Sequence, residues 1–170
     1  MVSTPRPRHI IQPRKTHNRP SRVADAAVVA AEARVRTVVV ESNVAWMQAL
    51  ETASPLGLDQ IKMGSNLQSI LREVTRLREH DEYWRIDVQQ VRVIWARLLS
   101  PTYARALARK DGESRRLYRR GRATPLEVDT SSYTNLYDLN WVGGRWLVSR
   151  VAAVDDATAA RLAAAPPASY

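Results

Sequence analysis

The chain has no cysteine and no phenylalanine, and only three histidines and six glycines among its 170 residues. Without cysteine there is no disulfide and no thiolate metal site, and redox chemistry says nothing about compartment. His9 and His17 fall in a basic N-terminal segment and leave His80 alone beyond it. Neither a metal centre nor a cofactor is therefore expected. With phenylalanine missing, five tryptophans and six tyrosines supply the aromatic packing. No apolar run approaches the roughly 20 residues that cross a bilayer, so the default expectation is a cytoplasmic protein with no transmembrane segment. Walker A, dinucleotide-fold glycine, Gly-x-Ser-x-Gly and His-Glu-x-x-His patterns are all absent, which argues against most enzyme classes.

What is present begins with charge. The formal net charge is +9. Arg6, Arg8, Arg14, Lys15, Arg19 and Arg22 contribute six of these with no acid among them, leaving the rest of the chain close to balanced. Pro5, Pro7, Pro13 and Pro20 would interrupt the amphipathic helix of an organelle transit peptide. Residues 1–22 are thus expected to be a disordered basic tail, of a kind that also serves as a linker in longer proteins and offers a route to nucleic acid. Residues 23–156 are expected to form one domain, and 157–170 an Ala/Pro-rich C-terminal tail.

From Val23 to Ala53 there is neither Gly nor Pro, which allows one long helix or two consecutive ones. Val35, Val38, Val39, Ser42, Trp46, Ala49, Leu50 and Ala53 recur at helical spacing. A second amphipathic helix carries Leu67, Ile70, Leu71, Val74 and Leu77, and Ser65 with Gln68 has the spacing of a capping box at its start. Tyr83 to Leu99 then reads as a strand, Tyr103 to Tyr118 as the strand that returns, and Arg122 to Ser132 as a loop. The clearest local signal is Tyr133 to Val151, two strands joined by the turn Gly143-Gly144. Its expected register pairs Val142 with Arg145, Trp141 with Trp146, Leu139 with Val148 and Tyr137 with Arg150. The order predicts an α+β domain with N-terminal helices packed on a strongly curved antiparallel sheet of four to five strands.

Several stretches carry a family likeness. Tyr83-Trp84 opens the first strand. An alanine-rich strand from Ala104 to Gly121 contains Glu113, Leu117 and Tyr118. Tyr133, Tyr137 and Leu139 lead into a hairpin with Gly144 and Trp146. From about residue 35 to 154 the chain resembles the cone-shaped domain of the nuclear transport factor 2-like superfamily, and within it is similar to the IMS domain of cyanobacterial and chloroplast division proteins. The resemblance implies helices seated in the hollow of a bent sheet, with a pocket at the open end. It also implies a non-enzymatic interaction or accessory module that binds a protein or peptide partner through pocket or sheet face.

Some members of the superfamily are isomerases or cyclases, whose pockets hold an Asp or His base and a Tyr or Asp donor. That alternative makes Asp138, Tyr133, Asp87 and His80 the catalytic candidates, with proton abstraction next to a carbonyl as the chemistry. Asp138 leads because it falls mid-strand; its plainer reading is an ion pair with Arg105 or Arg109. Arg115, Arg116, Arg119, Arg120 and Arg122 form the densest basic cluster, suited to phosphates or an acidic partner, or simply to solvent near Glu113, Glu127 and Asp129. Trp141 and Trp146 are candidates for a homodimer interface or, equally, for the core.

Overall fold

The computed structural model describes residues 22–170, so the expected disordered tail lies outside the described residues except at Arg22. Helix α1 is a single helix, Arg22–Thr52. The β-branched run Val38-Val39-Val40 stays helical because Val38 and Val39 are buried against the sheet, and packing overrides propensity. The helix stops at Ala53, which takes a left-handed φ of 49°, just before Pro55. A 3-10 turn at Leu58–Gln60 leads to α2, Gly64–Glu79.

The expected capping box does not form. No side chain caps the start of α2, and Ser65 Oγ instead donates to Ser149 O across to the sheet. The chain entering α2 is fixed another way: Met63 N donates to Val148 O and Val148 N to Ile61 O, each at 2.9 Å.

Five antiparallel strands follow: β1 Glu82–Asp87, β2 Gln90–Ser100, β3 Tyr103–Arg119, β4 Glu127–Val142 and β5 Arg145–Val154. The sheet order is β1-β3-β4-β5. β2 lies beside the first half of β3, and β1 beside its second half. The stretch expected as one strand over Tyr83–Leu99 is therefore two, separated at Val88-Gln89. The expected loop at Arg122–Ser132 is shorter, because the polar residues from Glu127 onward pair with β3 and satisfy their backbone there.

The inner face of the sheet is built from small residues where α1 crosses it. Val35, Val38 and Val39 pack on Ala96, Ala104, Ala106 and Ala108, with Tyr137, Leu139, Trp146 and Val148 around them. Alanines keep that face low enough for the helix to settle into the hollow. A second cluster joins Ala49, Leu50 and Ala53 to Ile70, Val74 and Leu77 of α2, and to Ile86 and Leu117 of the sheet. Helix α1 thus packs along the sheet, with α2 against its C-terminal half.

The terminal hairpin keeps the expected pairs Val142–Arg145, Trp141–Trp146 and Leu139–Val148. Gly143 and Gly144 have φ of 58° and 81°, as a primed two-residue turn requires. Beyond Leu139 a bulge shifts the register, so that Tyr137 faces Val151 and Asp138 faces Arg150. Helix α3, Asp156–Ala164, begins at Asp155, whose side chain accepts from Thr158 N at 2.8 Å. A short Ala-rich helix is what the sequence from Asp155 onward predicts, and all but its first residue falls in the segment 157–170 set apart above as a tail. Trp95 Nε1 donates to Leu162 O at 2.9 Å, and Tyr170 N donates to Leu98 O at 2.7 Å.

Candidate functional site

Between α1, α2 and the inner face of the sheet lies a cavity of about 250 Å³. Asn43 and Trp46 reach it from α1, and Lys62 from the segment bridged to β5. Asn66 and Ser69 come from α2, Lys110 and Arg115 from β3, and Tyr133, Asn135 and Tyr137 from β4. Val151 and Ala153 of β5 complete the wall.

The charged part of this lining depends on an irregularity in β3. Residues on a regular strand alternate between faces, so Lys110 and Glu113, three positions apart, would point in opposite directions. The ladder between β3 and β4 slips between Lys110 and Glu113, and Gly112 sits there with a φ of 61°. Such a bulge turns Glu113 and Arg115 onto the face that Lys110 already occupies.

Glu113 is then the hub of a buried polar network, its side chain 0% exposed. Lys110 Nζ lies 3.2 Å from its Oε2. The Tyr133 hydroxyl reaches both carboxylate oxygens, at 2.7 and 2.8 Å, and Arg115 Nε donates to Oε1. Arg115 also donates to the Tyr133 hydroxyl at 2.7 Å. Trp46 roofs the two cations, with Lys110 Nζ 4.1 Å and the Arg115 guanidinium 5.1 Å from its ring centre. Burial alone would raise the Glu113 carboxyl, but Lys110, the Tyr133 hydroxyl and Arg115 outweigh it and hold it below the usual carboxylate range. Burial lowers the Lys110 ammonium, an effect that Glu113 only partly offsets. Burial also raises the Tyr133 phenol, aided by its hydrogen bond to Glu113.

Lys62 is different. It is 3% exposed, and its Nζ donates to Ser42 Oγ at 2.7 Å and Asn66 Oδ1 at 3.3 Å, neither of which carries charge. Burial, with Lys110 nearby, pushes its pKa down to about 7. The cavity is therefore lined by three basic side chains, and the one carboxylate that meets two of them, Glu113, is buried behind the lining and already engaged.

Of the four catalytic candidates, only Tyr133 lines this cavity. Asp138 is held on its strand by Arg105 Nε at 2.8 Å and the Tyr103 hydroxyl at 2.6 Å, the ion pair offered as its plainer reading. Asp87 pairs with Arg116 at 3.0 Å at the surface, and His80 Nδ1 lies 2.8 Å from Arg76 O at the end of α2. The arginine cluster separates: Arg115 turns inward, Arg119 meets Glu82 at 3.0 Å, Arg120 meets Asp81 at 3.4 Å, and Arg122 is exposed. Trp146 is buried in the core at 5% exposure, while Trp141, its edge-to-face neighbour, is 42% exposed.

Lys62, Lys110, Asn43, Asn66 and Trp46 were not read from the sequence as site residues. One usable signal was Gly112 inside an otherwise strand-like run, which marks a bulge and so a change of face.

Helices in the hollow of a bent antiparallel sheet, with a cavity at the open end, define the nuclear transport factor 2-like class of α+β domains. Residues 45–149, more than half of the chain, match the family described as ARC6-like, IMS domain, and the chain belongs to that family. Among solved structures it is similar to the intermembrane space region of the chloroplast protein ARC6. That match has a TM-score of 0.59 and 16% identity, and covers 70% of this chain and 95% of that one. It is also similar to an NTF-2 like protein of unknown function from Shewanella oneidensis MR-1, with a TM-score of 0.40 and 11% identity over 71% of this chain and 98% of that one. No curated protein matches the sequence. Among the described residues, no helix is long and apolar enough to cross a membrane, and no cluster of side chains is suited to a metal ion.

Proposed function

We propose that this chain is a protein-interaction module whose cavity receives an acidic group of a protein or peptide partner. The observation that carries the reading is the imbalance of charge: Lys62, Lys110 and Arg115 line the cavity, and the one carboxylate beside them is already shared by Lys110, Arg115 and Tyr133. An incoming carboxylate supplies the counter-charge the site lacks, in surroundings where water competes poorly. Asn66 and Asn135 place neutral amide groups on the same wall to orient it. Membership of the IMS domain family supports an interaction role.

The isomerase-like alternative draws support from Tyr133 alone among its four candidates, and Tyr133 is engaged with Glu113. A nucleic-acid role through the arginine cluster is weakened by the pairing of Arg116, Arg119 and Arg120 with acids.

The test is an NMR titration with an acetylated, amidated triglutamate peptide and its triglutamine counterpart. Shifts confined to the cavity lining and specific to the acidic peptide support the reading. Equal response to both peptides, or shifts only on the outer sheet face, overturns it.

A further inference from the structure

We propose that Lys62 is a proton gate for this cavity, giving up its proton in alkaline surroundings when the cavity is empty and regaining it as an anionic group enters. The inference rests on the reading of the cavity as a receptor for an acidic group and adds its regulation.

The gate follows from what surrounds the ammonium. The backbone of Lys62 is fixed by its parallel bridge to Val148, which commits the side chain to the interior. α1 presents Ser42, Asn43 and Trp46 to this region, and α2 presents Asn66 and Ser69, all without formal charge. β5 contributes only Val151 and Ala153. The titratable groups all come from the other two strands: Lys110, Glu113 and Arg115 on β3, and the Tyr133 and Tyr137 phenols on β4. Glu113 is shared among two cations and a phenol, Lys110 and Arg115 carry the same sign as Lys62, and burial raises both phenols, which stay neutral. A proton on Lys62 thus has hydrogen-bond acceptors but no counter-charge. Its lowered pKa, about 7, agrees with that geometry.

An anion in the cavity reverses the balance. It stabilises the charged form of Lys62, so Lys62 binds a proton more tightly in the complex than in the free protein. Reciprocity then requires that protonation tighten anion binding by the same factor. Affinity is highest below about pH 7 and weakens by up to about tenfold per pH unit above it, until the pKa of Lys62 in the complex is reached. The module would hold its partner in mildly acidic to neutral surroundings and release it in alkaline ones.

Calorimetric titration of the full chain with the acetylated, amidated triglutamate peptide tests this, because those carboxylates stay ionised throughout the range used. Titrations at about pH 6, 7, 8 and 9, in buffers of differing ionisation heat, report affinity and protons exchanged together. The expected result is affinity that falls with pH above neutral and fractional proton uptake that rises toward one in the same range. In Lys62→Met binding is weaker and flat with pH. Binding that is flat in the wild type, with no proton uptake, overturns the gate and leaves the receptor reading intact. No binding at any pH overturns both. An independent check needs no variant: the Lys62 ammonium of the free wild-type protein, followed by NMR, should titrate near neutrality, and titration near the ordinary lysine value overturns the gate.

Discussion

Lys110 and Glu113 stand three positions apart on one strand, yet their charged ends meet 3.2 Å apart in the interior. The backbone permits this because Gly112 adopts a φ of 61° in the bulge between them. A side chain there is strained by the backbone, and its Cβ would fall 2.4 Å from Gln89 Cδ. Gln89 can swing aside; the left-handed φ cannot be relieved without losing the bulge. Gly112→Val is therefore expected to cost about 2 kcal/mol, since β-branched residues tolerate this region least. Urea denaturation measures the cost. Triglutamate binding should fall in the same variant, because a straightened strand would turn Glu113 and Arg115 away from Lys110.

Glu113→Gln is expected to be more damaging. It leaves Lys110 and Arg115 beside the cavity without their shared counter-ion, and breaking a buried pair from one side costs about 3 to 5 kcal/mol. The double variant Lys110→Met/Glu113→Gln should recover part of that loss, and the cycle of single and double variants measures the coupling. The Glu113 carboxyl is held below its ordinary value, so its contribution is present above the unfolded carboxyl range, near pH 4.3, and is lost as pH falls through the lower folded value. Glu113→Gln should accordingly flatten the acid limb of the stability profile.

Lys62 acts with the opposite pH sense. Its folded value of about 7 lies below the roughly 10.4 of an unfolded lysine, so between those values the unfolded chain binds more protons than the native one. Stability therefore rises with pH across that window, by up to about 1.4 kcal/mol per unit. Below about pH 7 the penalty of a charged, unpaired Lys62 is felt in full. Lys62→Met removes the titrating group, so the difference in unfolding free energy between variant and wild type should be largest near pH 6 and shrink toward pH 10. A difference that stays constant with pH would show that Lys62 is charged throughout.

The architecture was legible because periodicity survives in the sequence: the valines of α1, the apolar stripe of α2 and the alanines of β3 each mark a buried face. The Gly143-Gly144 turn fixed the register of the terminal hairpin as far as Leu139. Legibility failed at the bulges. The extra residue near Ser149 put Val151, not Arg150, opposite Tyr137. The one at Gly112 sent Arg115 inward, while counting by twos left it in a surface cluster. The cavity suffered most, because its charged lining comes from Lys62, Lys110 and Arg115, and only a change of face brings Arg115 to the side of Lys110. Lys62 carries no local signal at all: its burial depends on a bridge to a strand far along the chain.

The two tryptophans of the terminal hairpin separate a core role from a surface one. Trp141 and Trp146 are cross-strand partners with ring centres 5.4 Å apart, but only Trp146 packs with Val35, Val39 and Leu139 beneath α1. Trp146→Ser removes a large apolar side chain from a filled interior and places a hydroxyl there, so a loss of about 3 to 5 kcal/mol is expected. Trp141→Ser forfeits an edge-to-face contact and partial burial at an exposed turn. Its expected cost is about 1 kcal/mol, which leaves the chain folded. That makes Trp141→Ser the informative variant for self-association. Sedimentation velocity over a range of concentrations should give a fully folded chain for Trp141→Ser and a destabilised one for Trp146→Ser. If wild-type sedimentation rises with concentration and Trp141→Ser abolishes the rise, the exposed ring belongs to a contact between copies. If both sediment alike, that ring faces solvent and the hairpin serves the core through Trp146 alone.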